Sequence, residues 1–372
     1  MDRLLTHEVP LAAVWIQDWV GLRKAFDGDR LKWNWQLDST YYPDWHGMVK
    51  YWGEEHGIRV MTYINPFFSE TEGGKVAPGA RNLFREGIDR GLFVQSPQGG
   101  AYKMHSGSIE FCMLDTTNPD ARVWMKEIMK KDMIENSGSA GWMADFGEYL
   151  PFDAVLQGGQ DAAAYHNIYP EEWARINREA VEEAAVEEKT SVKLKRRLTN
   201  GIDVNDEKAS VGAEKDLMTV DREVLYFMRS AGLKSPAHTA LFWLGDQLVS
   251  WDKHDGLKSA IVGALSGGIG GHSITHSDIG GYTMVSSYLN QRHSAGLFAT
   301  FHHRDINTFH FGSLSFVNAM QQDKGPMPYI RTKELLLRWI EFSTFGSALF
   351  RSHVGSSTSP LNSQIYEVRS TP

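Results

Sequence analysis

Cysteine is almost absent from this chain of 372 residues, with Cys112 as the only example. One thiol excludes an internal disulfide and any cysteine-based zinc cluster, and it leaves the redox compartment open. Long apolar runs are also lacking. No stretch approaches the roughly 18 unbroken apolar residues needed to cross a bilayer, and Met1–Glu8 lacks the apolar centre of a secretory leader. The expectation is a soluble protein, cytoplasmic by default, with any targeting segment left open. A cationic excess is missing too: the formal net charge of −8 and a pI near 6.0 offer no field for nucleic acid. Neither nucleic acid nor a membrane span is therefore expected.

What is present is a large apolar fraction, 42% hydrophobic and 12% aromatic, enough to bury a sizeable core. Its arrangement is informative. The run Gly141-Trp142-Met143-Ala144-Asp145-Phe146-Gly147-Glu148 is an apolar segment that ends abruptly in a carboxylate followed by glycine. The same grammar recurs where Val14-Trp15-Ile16 meets Gln17-Asp18 and where Val60–Ile64 meets Asn65. It returns where Leu225–Met228 meets Arg229 and where Leu241–Leu244 meets Gly245-Asp246. A buried strand that delivers a polar group at its C-terminal tip is how a barrel enzyme places its chemistry.

Helical periods separate these strands. Tyr42–Trp52 reads as a capped helix, and Asn118-Pro119 opens another whose period runs through Val123, Trp124, Ile128 and Met129 to Met133. Alternating strands and helices imply a parallel sheet. A doubly wound sheet would carry a glycine-rich phosphate loop after its first strand, and none is found here. Five polar strand tips favour a (β/α)8 TIM-type barrel, in which all tips converge on one mouth.

Two stretches break the rhythm. Residues from about 187 to 222, with the basic run Lys193–Arg197, read as a solvated insertion or disordered loop. Residues from about 285 to 328 are rich in His, Phe and Ser without a period, and so long a loop is unusual inside a compact domain.

Gly141–Glu148, Gly245-Asp246-Gln247 and Ser277-Asp278-Ile279-Gly280-Gly281-Tyr282 together resemble glycoside hydrolase family 31, the retaining α-glucosidase family. Trp15-Ile16-Gln17-Asp18-Trp19 and Arg30-Leu31-Lys32-Trp33-Asn34-Trp35 are similar to its sulfoquinovosidase branch. The resemblance covers most of positions 9–186, 223–284 and 329–355. It implies hydrolysis of α-glycosides of sulfoquinovose, a glucose whose carbon 6 carries a sulfonate, without any cofactor. Retention needs a nucleophilic carboxylate and a second carboxyl acting as acid and then base, about 5–5.5 Å apart. Asp145 matches the family nucleophile and Asp246 the acid/base. The apolar Phe242, Trp243 and Leu244 and a neighbouring carboxylate would raise the pKa of Asp246. Glu148 reads as a supporting neighbour.

By the same resemblance Arg30, Trp33 and Tyr282 contact the sulfonate, while Gln17, Arg229 and His353 contact the sugar. A sulfonate is a permanent anion and suits a guanidinium fork with indole or phenol donors. Each residue also has a plainer reading: a loop aspartate capping a helix, a surface arginine, a core indole, an ion pair between Arg229 and Asp145 or Asp246, a structural histidine. His272, His276, His302 and His303 do not make a metal site on spacing, because the surrounding glycines argue against a helix.

Against the family, the N-terminal and C-terminal β domains are expected to be absent. The barrel is expected to be incomplete, its first strand and last part missing, and to form a single catalytic domain over residues 1–372 with the two insertions. An α-glucosidase acting on neutral glucosides and an inactive carbohydrate-binding fragment remain as alternatives. The partner in either enzyme reading is a small α-glycoside, and the oligomeric state is open.

Overall fold

A computed structural model of the protein describes residue 6 and residues 11–25, 28–71, 76–200, 224–282 and 331–346. The chain divides into two compact units, Met1–Thr239 and Ala240–Pro372.

In the first unit, β1 (Ala13–Trp15) leads through a short 3-10 turn, Gln17–Val20, into an antiparallel hairpin of β2 (Leu22–Ala25) and β3 (Gly28–Leu31). Helix α1 (Trp45–His56) ends on Gly57, whose φ of 64° is the left-handed conformation that closes helices most cheaply with glycine. The chain then enters β4 (Arg59–Ile64). A small antiparallel sheet follows, built from β5 (Phe67–Ser69), β6 (Met104–Ser106) and β7 (Ile109–Met113) in the order β5-β7-β6, with α2 (Leu83–Asp89) inserted between β5 and β6.

Helix α3 (Pro119–Ile128) begins where the sequence requires. The Asn118 side chain accepts from Asp120 N at 2.9 Å and Ala121 N at 3.3 Å, and proline occupies the first turn. Ala121, Trp124, Met125 and Ile128 form its buried stripe. The same rod continues as a π-helical turn over Met129–Asn136, burying Met129 and Met133. Strand β8 (Gly141–Ala144) follows, then the short α4 (Ala162–Tyr165), the long α5 (Tyr169–Asn200) and β9 (Leu225–Met228). Strands β1, β4, β8 and β9 pair in that order, all parallel, with Val14 opposite Val60, Tyr63 opposite Met143 and Ala144 opposite Met228.

The loop expected from about residue 187 instead begins inside α5, which runs on to Asn200. As far as Glu187 the helix is held by a ladder of ion pairs between its acidic face and the basic face of α3 and its π-helical continuation. Arg122 meets Glu172 at 2.7 Å and Glu179 at 3.1 Å, Lys126 meets Glu179 at 3.3 Å, and Lys130 meets Glu183 at 3.1 Å and Glu187 at 2.7 Å. The cations are largely buried along their stems, so the ladder is better shielded than a surface pair. Residues 201–222 lie outside the described residues, as do 285–328.

The second unit holds β10 (Leu241–Trp243), α6 (Leu257–Ile269), β11 (Ile274–His276) and α7 (Lys333–Gly346). β10 and β11 are parallel, with Phe242 opposite Thr275. Leu257 and Ala260 of α6 pack with Val249, Ile279, Leu335, Leu336 and Trp339 to form its core. Among the described residues no helix is long and apolar enough to cross a membrane.

Candidate active site

Asp145 stands at the tip of β8, its backbone N–H donating to Ile64 O at 2.9 Å and so extending the ladder by one residue. The next residue, Phe146, has a φ of 57°, an uncommon conformation for a non-glycine side chain. Gly147 follows at φ 117°, where an added Cβ would lie 2.4 Å from Ser230 Oγ. The chain therefore leaves the sheet sharply and keeps the Asp145 carboxylate at the C-terminal end of the sheet.

That carboxylate is 6% exposed and fully engaged. Tyr63 OH donates to Oδ2 at 2.6 Å, Phe146 N donates to Oδ1 at 2.9 Å, and Arg229 Nη1 lies 3.1 Å from Oδ1. Arg229 follows β9 directly. Its other terminal nitrogen donates to Glu148, and its guanidinium lies 4.0 Å from the centroid of the Phe146 ring. The ion pair expected from the plainer reading of Arg229 is thus present, with Glu148 sharing the same guanidinium. Burial raises the Glu148 carboxyl above its ordinary value, with Arg229 opposing and the charge of Asp145 adding to the rise. Burial and the same charge push the Tyr63 hydroxyl well above its usual range, so it keeps its proton and donates.

Trp33 joins this cluster through its ring. Its centroid lies 5.0 Å from Phe111, 5.4 Å from Phe67 and 6.1 Å from Phe146, the ring beneath Arg229. The indoles of Trp19, Trp35, Trp45, Trp124, Trp142 and Trp173 all donate to protein acceptors, at 2.7–3.2 Å. Trp33 is also buried, at 6% exposure, yet among the described residues its Nε1–H has no acceptor. Its backbone is held by Ser69, which accepts from Trp33 N at 3.2 Å and donates its own N–H to Trp33 O at 3.1 Å. Arg30 lies in β3, opposite Arg23 across the hairpin. Lys32, between Arg30 and Trp33, pairs with Asp38 at 2.5 Å. Gln17 lies two residues beyond β1, at the same C-terminal end of the parallel sheet as Asp145.

The second unit carries its own constellation. Asp246 is exposed on the loop after β10, preceded by Gly245 at φ 87°. Tyr282, 39% exposed, donates its backbone N–H to Gln247 O at 2.8 Å, which sets it beside the Asp246 loop. Gly281 sits at φ 81°, where a Cβ would press on Leu248 O and Val249 at 2.8 Å, so no other residue lets the two loops approach so closely. Sequence reasoning missed Arg331. Only 5% exposed, it donates from Nε to Gly280 O at 3.1 Å and from Nη2 to Gly281 O at 2.6 Å, anchoring the tyrosine loop from about fifty positions downstream. Asp278 is wholly buried, accepting from Trp243 Nε1 at 3.1 Å with His276 Nε2 at 3.8 Å. The His272 ring packs on Phe242 at 4.6 Å, and burial lowers its pKa. His302, His303 and His353 lie outside the described residues.

Parallel strands that end in polar groups, each followed by a helix or loop, define a barrel-type α/β domain. The chain belongs to glycosyl hydrolase family 31: residues 1–369 match that family's TIM-barrel domain. Among the described residues six strands take part in parallel pairing, against eight in a complete barrel. The chain is 32% identical over 356 residues to a sulfoquinovosidase of Escherichia coli K12, covering 96% of this chain and 40% of that protein. A second sulfoquinovosidase, from Agrobacterium fabrum, is 31% identical over 357 residues, covering 96% of this chain and 41% of that one. Among solved structures, a family 31 sulfoquinovosidase from E. rectale in complex with an aza-sugar inhibitor is 32% identical with a TM-score of 0.68, covering 95% of this chain and 40% of that one. The chain thus spans about two fifths of the length of these relatives.

Proposed function

We propose that the protein is a retaining α-glycoside hydrolase that releases sulfoquinovose from α-sulfoquinovosides. In the first displacement a carboxylate oxygen of Asp145 attacks the anomeric carbon. The bond from that carbon to the leaving oxygen breaks, and the Asp246 carboxyl gives its proton to that oxygen. In the second, Asp246 takes a proton from water, the water oxygen attacks the same carbon, and Asp145 departs as a carboxylate. Arg30, Trp33 and Tyr282 hold the sulfonate, and Gln17, Arg229 and His353 the sugar hydroxyls. The reaction needs no cofactor.

The observation that carries this reading is the setting of Asp145, a buried carboxylate at a barrel strand tip oriented by Tyr63, Phe146 N–H and Arg229. The sulfonated substrate is favoured by the sulfoquinovosidase relatives and by the Trp33 indole N–H, which a ligand oxygen would satisfy. We read residues 1–372 as one catalytic barrel domain. Residues from about 285 to 328 are an insertion, since Arg331 bonds back to Gly280 and Gly281 where that stretch begins.

Paired 4-nitrophenyl α-sulfoquinovoside and α-glucoside test the substrate. A kcat/KM at least about 100-fold higher for the sulfonated sugar is expected, given that a charge-assisted fork supplies a few kcal/mol. Equal values would remove the sulfonate claim and leave a neutral α-glucosidase.

A further inference from the structure

We infer that Tyr63 is a positioning residue for the nucleophile, setting the angle at which the Asp145 carboxylate meets the anomeric carbon; this rests on the reading of Asp145 given above. Tyr63 lies opposite Met143 in the β4–β8 pairing, so Tyr63, Asn65, Met143 and Asp145 share one face of the sheet. Its ring is clamped between Trp15 and Trp35, with centroids at 6.4 and 5.9 Å, and its carbonyl accepts from Trp19 Nε1 at 2.8 Å. The phenol is 2% exposed and has no room to turn away.

The polarity of its hydrogen bonds is fixed from behind. Asn65 Oδ1 accepts from Phe67 N at 2.9 Å, which leaves Asn65 Nδ2 facing Tyr63 and donating to its oxygen at 3.1 Å. An amide nitrogen only donates, so the single phenol proton is directed at Asp145 Oδ2. Asp145 is consequently held on both oxygens, by a neutral donor on Oδ2 and by Phe146 N–H and Arg229 on Oδ1. Donors from three separate segments fix the plane of the carboxylate; with two, both on the same oxygen, it turns about its last torsion. A neutral phenol orients without adding a second cation, which would weaken the attacking oxygen more. Near-attack geometry of this kind is worth large rate factors when reacting atoms must meet in line.

The test compares the full chain with Tyr63→Phe and Asp145→Asn, using a 5-fluoro-α-glycosyl fluoride of the sulfonated sugar as covalent probe and a non-covalent aza-sugar as binding probe. Wild type should label and Asp145→Asn should not. Tyr63→Phe should label about 10- to 100-fold more slowly, the scale expected for a misaligned reacting group, while its aza-sugar Kd is unchanged. Replacing Tyr63 with 4-aminophenylalanine, which keeps the ring and restores a donor, should recover most of the labelling rate even if the phenylalanine variant folds poorly. Wild-type labelling by Tyr63→Phe, a parallel loss of aza-sugar binding, or failure of the amino analogue to rescue would each overturn the inference alone. An unlabelled wild type would overturn the proposed function, and the inference with it.

Discussion

The two proposed carboxyl partners stand in opposite surroundings. Asp145 is enclosed, with both oxygens fixed by donors from β4, β9 and its own turn. Asp246 is exposed on a loop whose neighbour, Tyr282, is held by a backbone hydrogen bond and by Arg331 behind it. A nucleophile gains from immobility because it must meet one carbon along one line. An acid that becomes a base must exchange protons with a leaving group and then with water, and an open loop gives it access to both. The contrast is one of exposure: the proposed nucleophile is enclosed, and the proposed acid/base faces solvent.

Three experiments break or sharpen this contrast. Asp246→Ala should lower kcat/KM by about 10²- to 10⁴-fold, the usual contribution of a general acid or base, with a smaller loss on 4-nitrophenyl glycosides than on alkyl glycosides. An equal loss on both leaving groups would mean that Asp246 is not the acid. Trp33→Phe should weaken binding of a sulfonated aza-sugar by about 10-fold, the value of one hydrogen bond to a charged group, while a neutral aza-sugar is unaffected. Because Trp33 is buried among Phe67, Phe111 and Phe146, the smaller ring also leaves a cavity and should lower Tm; equal weakening of both aza-sugars would mark Trp33 as a core indole only.

The smallest effect concerns Glu148. Burial raises its carboxyl above 4.5, so the folded chain holds that proton more tightly than the unfolded one. Its stabilising contribution is complete in acid and is lost as pH rises through the folded value. Relative to Glu148→Gln, wild type should therefore lose stability between pH 4.5 and neutrality. The loss should stay below about 1 kcal/mol, since the side chain is 40% exposed and screened by solvent. Denaturant titrations across that range would show the trend, and a wild type that gains on Glu148→Gln with rising pH contradicts it.

The five strand tips were legible because each apolar run ends abruptly in a polar side chain, and β1, β4, β8, β9 and β10 all fall where those runs predict. The α3 start was legible because Asn118-Pro119 is both cap and first turn. Tyr63 was not, since a tyrosine inside an apolar strand reads as core until its hydroxyl has a partner in space. Arg331 was hidden for a related reason: its acceptors are two glycine carbonyls about fifty residues earlier, and carbonyls leave no mark in a sequence. The charged stretch of α5 as far as Glu187 is held by lysines on another helical rod, Lys126 and Lys130, partners that a single stretch of sequence does not reveal. The site residues carried by resemblance now divide by location. Arg229 and Trp33 join Asp145 through Phe146. Arg30 is set in the β2–β3 hairpin and Gln17 in the turn after β1, Tyr282 beside Asp246, and His353 outside the described residues.

The central claim is that Asp145 forms the covalent bond to the sugar. Trapping the wild-type chain with a 5-fluoro-α-glycosyl fluoride and mapping the modified peptide by mass spectrometry tests it directly. The account predicts one added glycosyl group, located on Asp145 and absent from Asp145→Asn; a label on Asp246 or Glu148, or persistent labelling of Asp145→Asn, would contradict it.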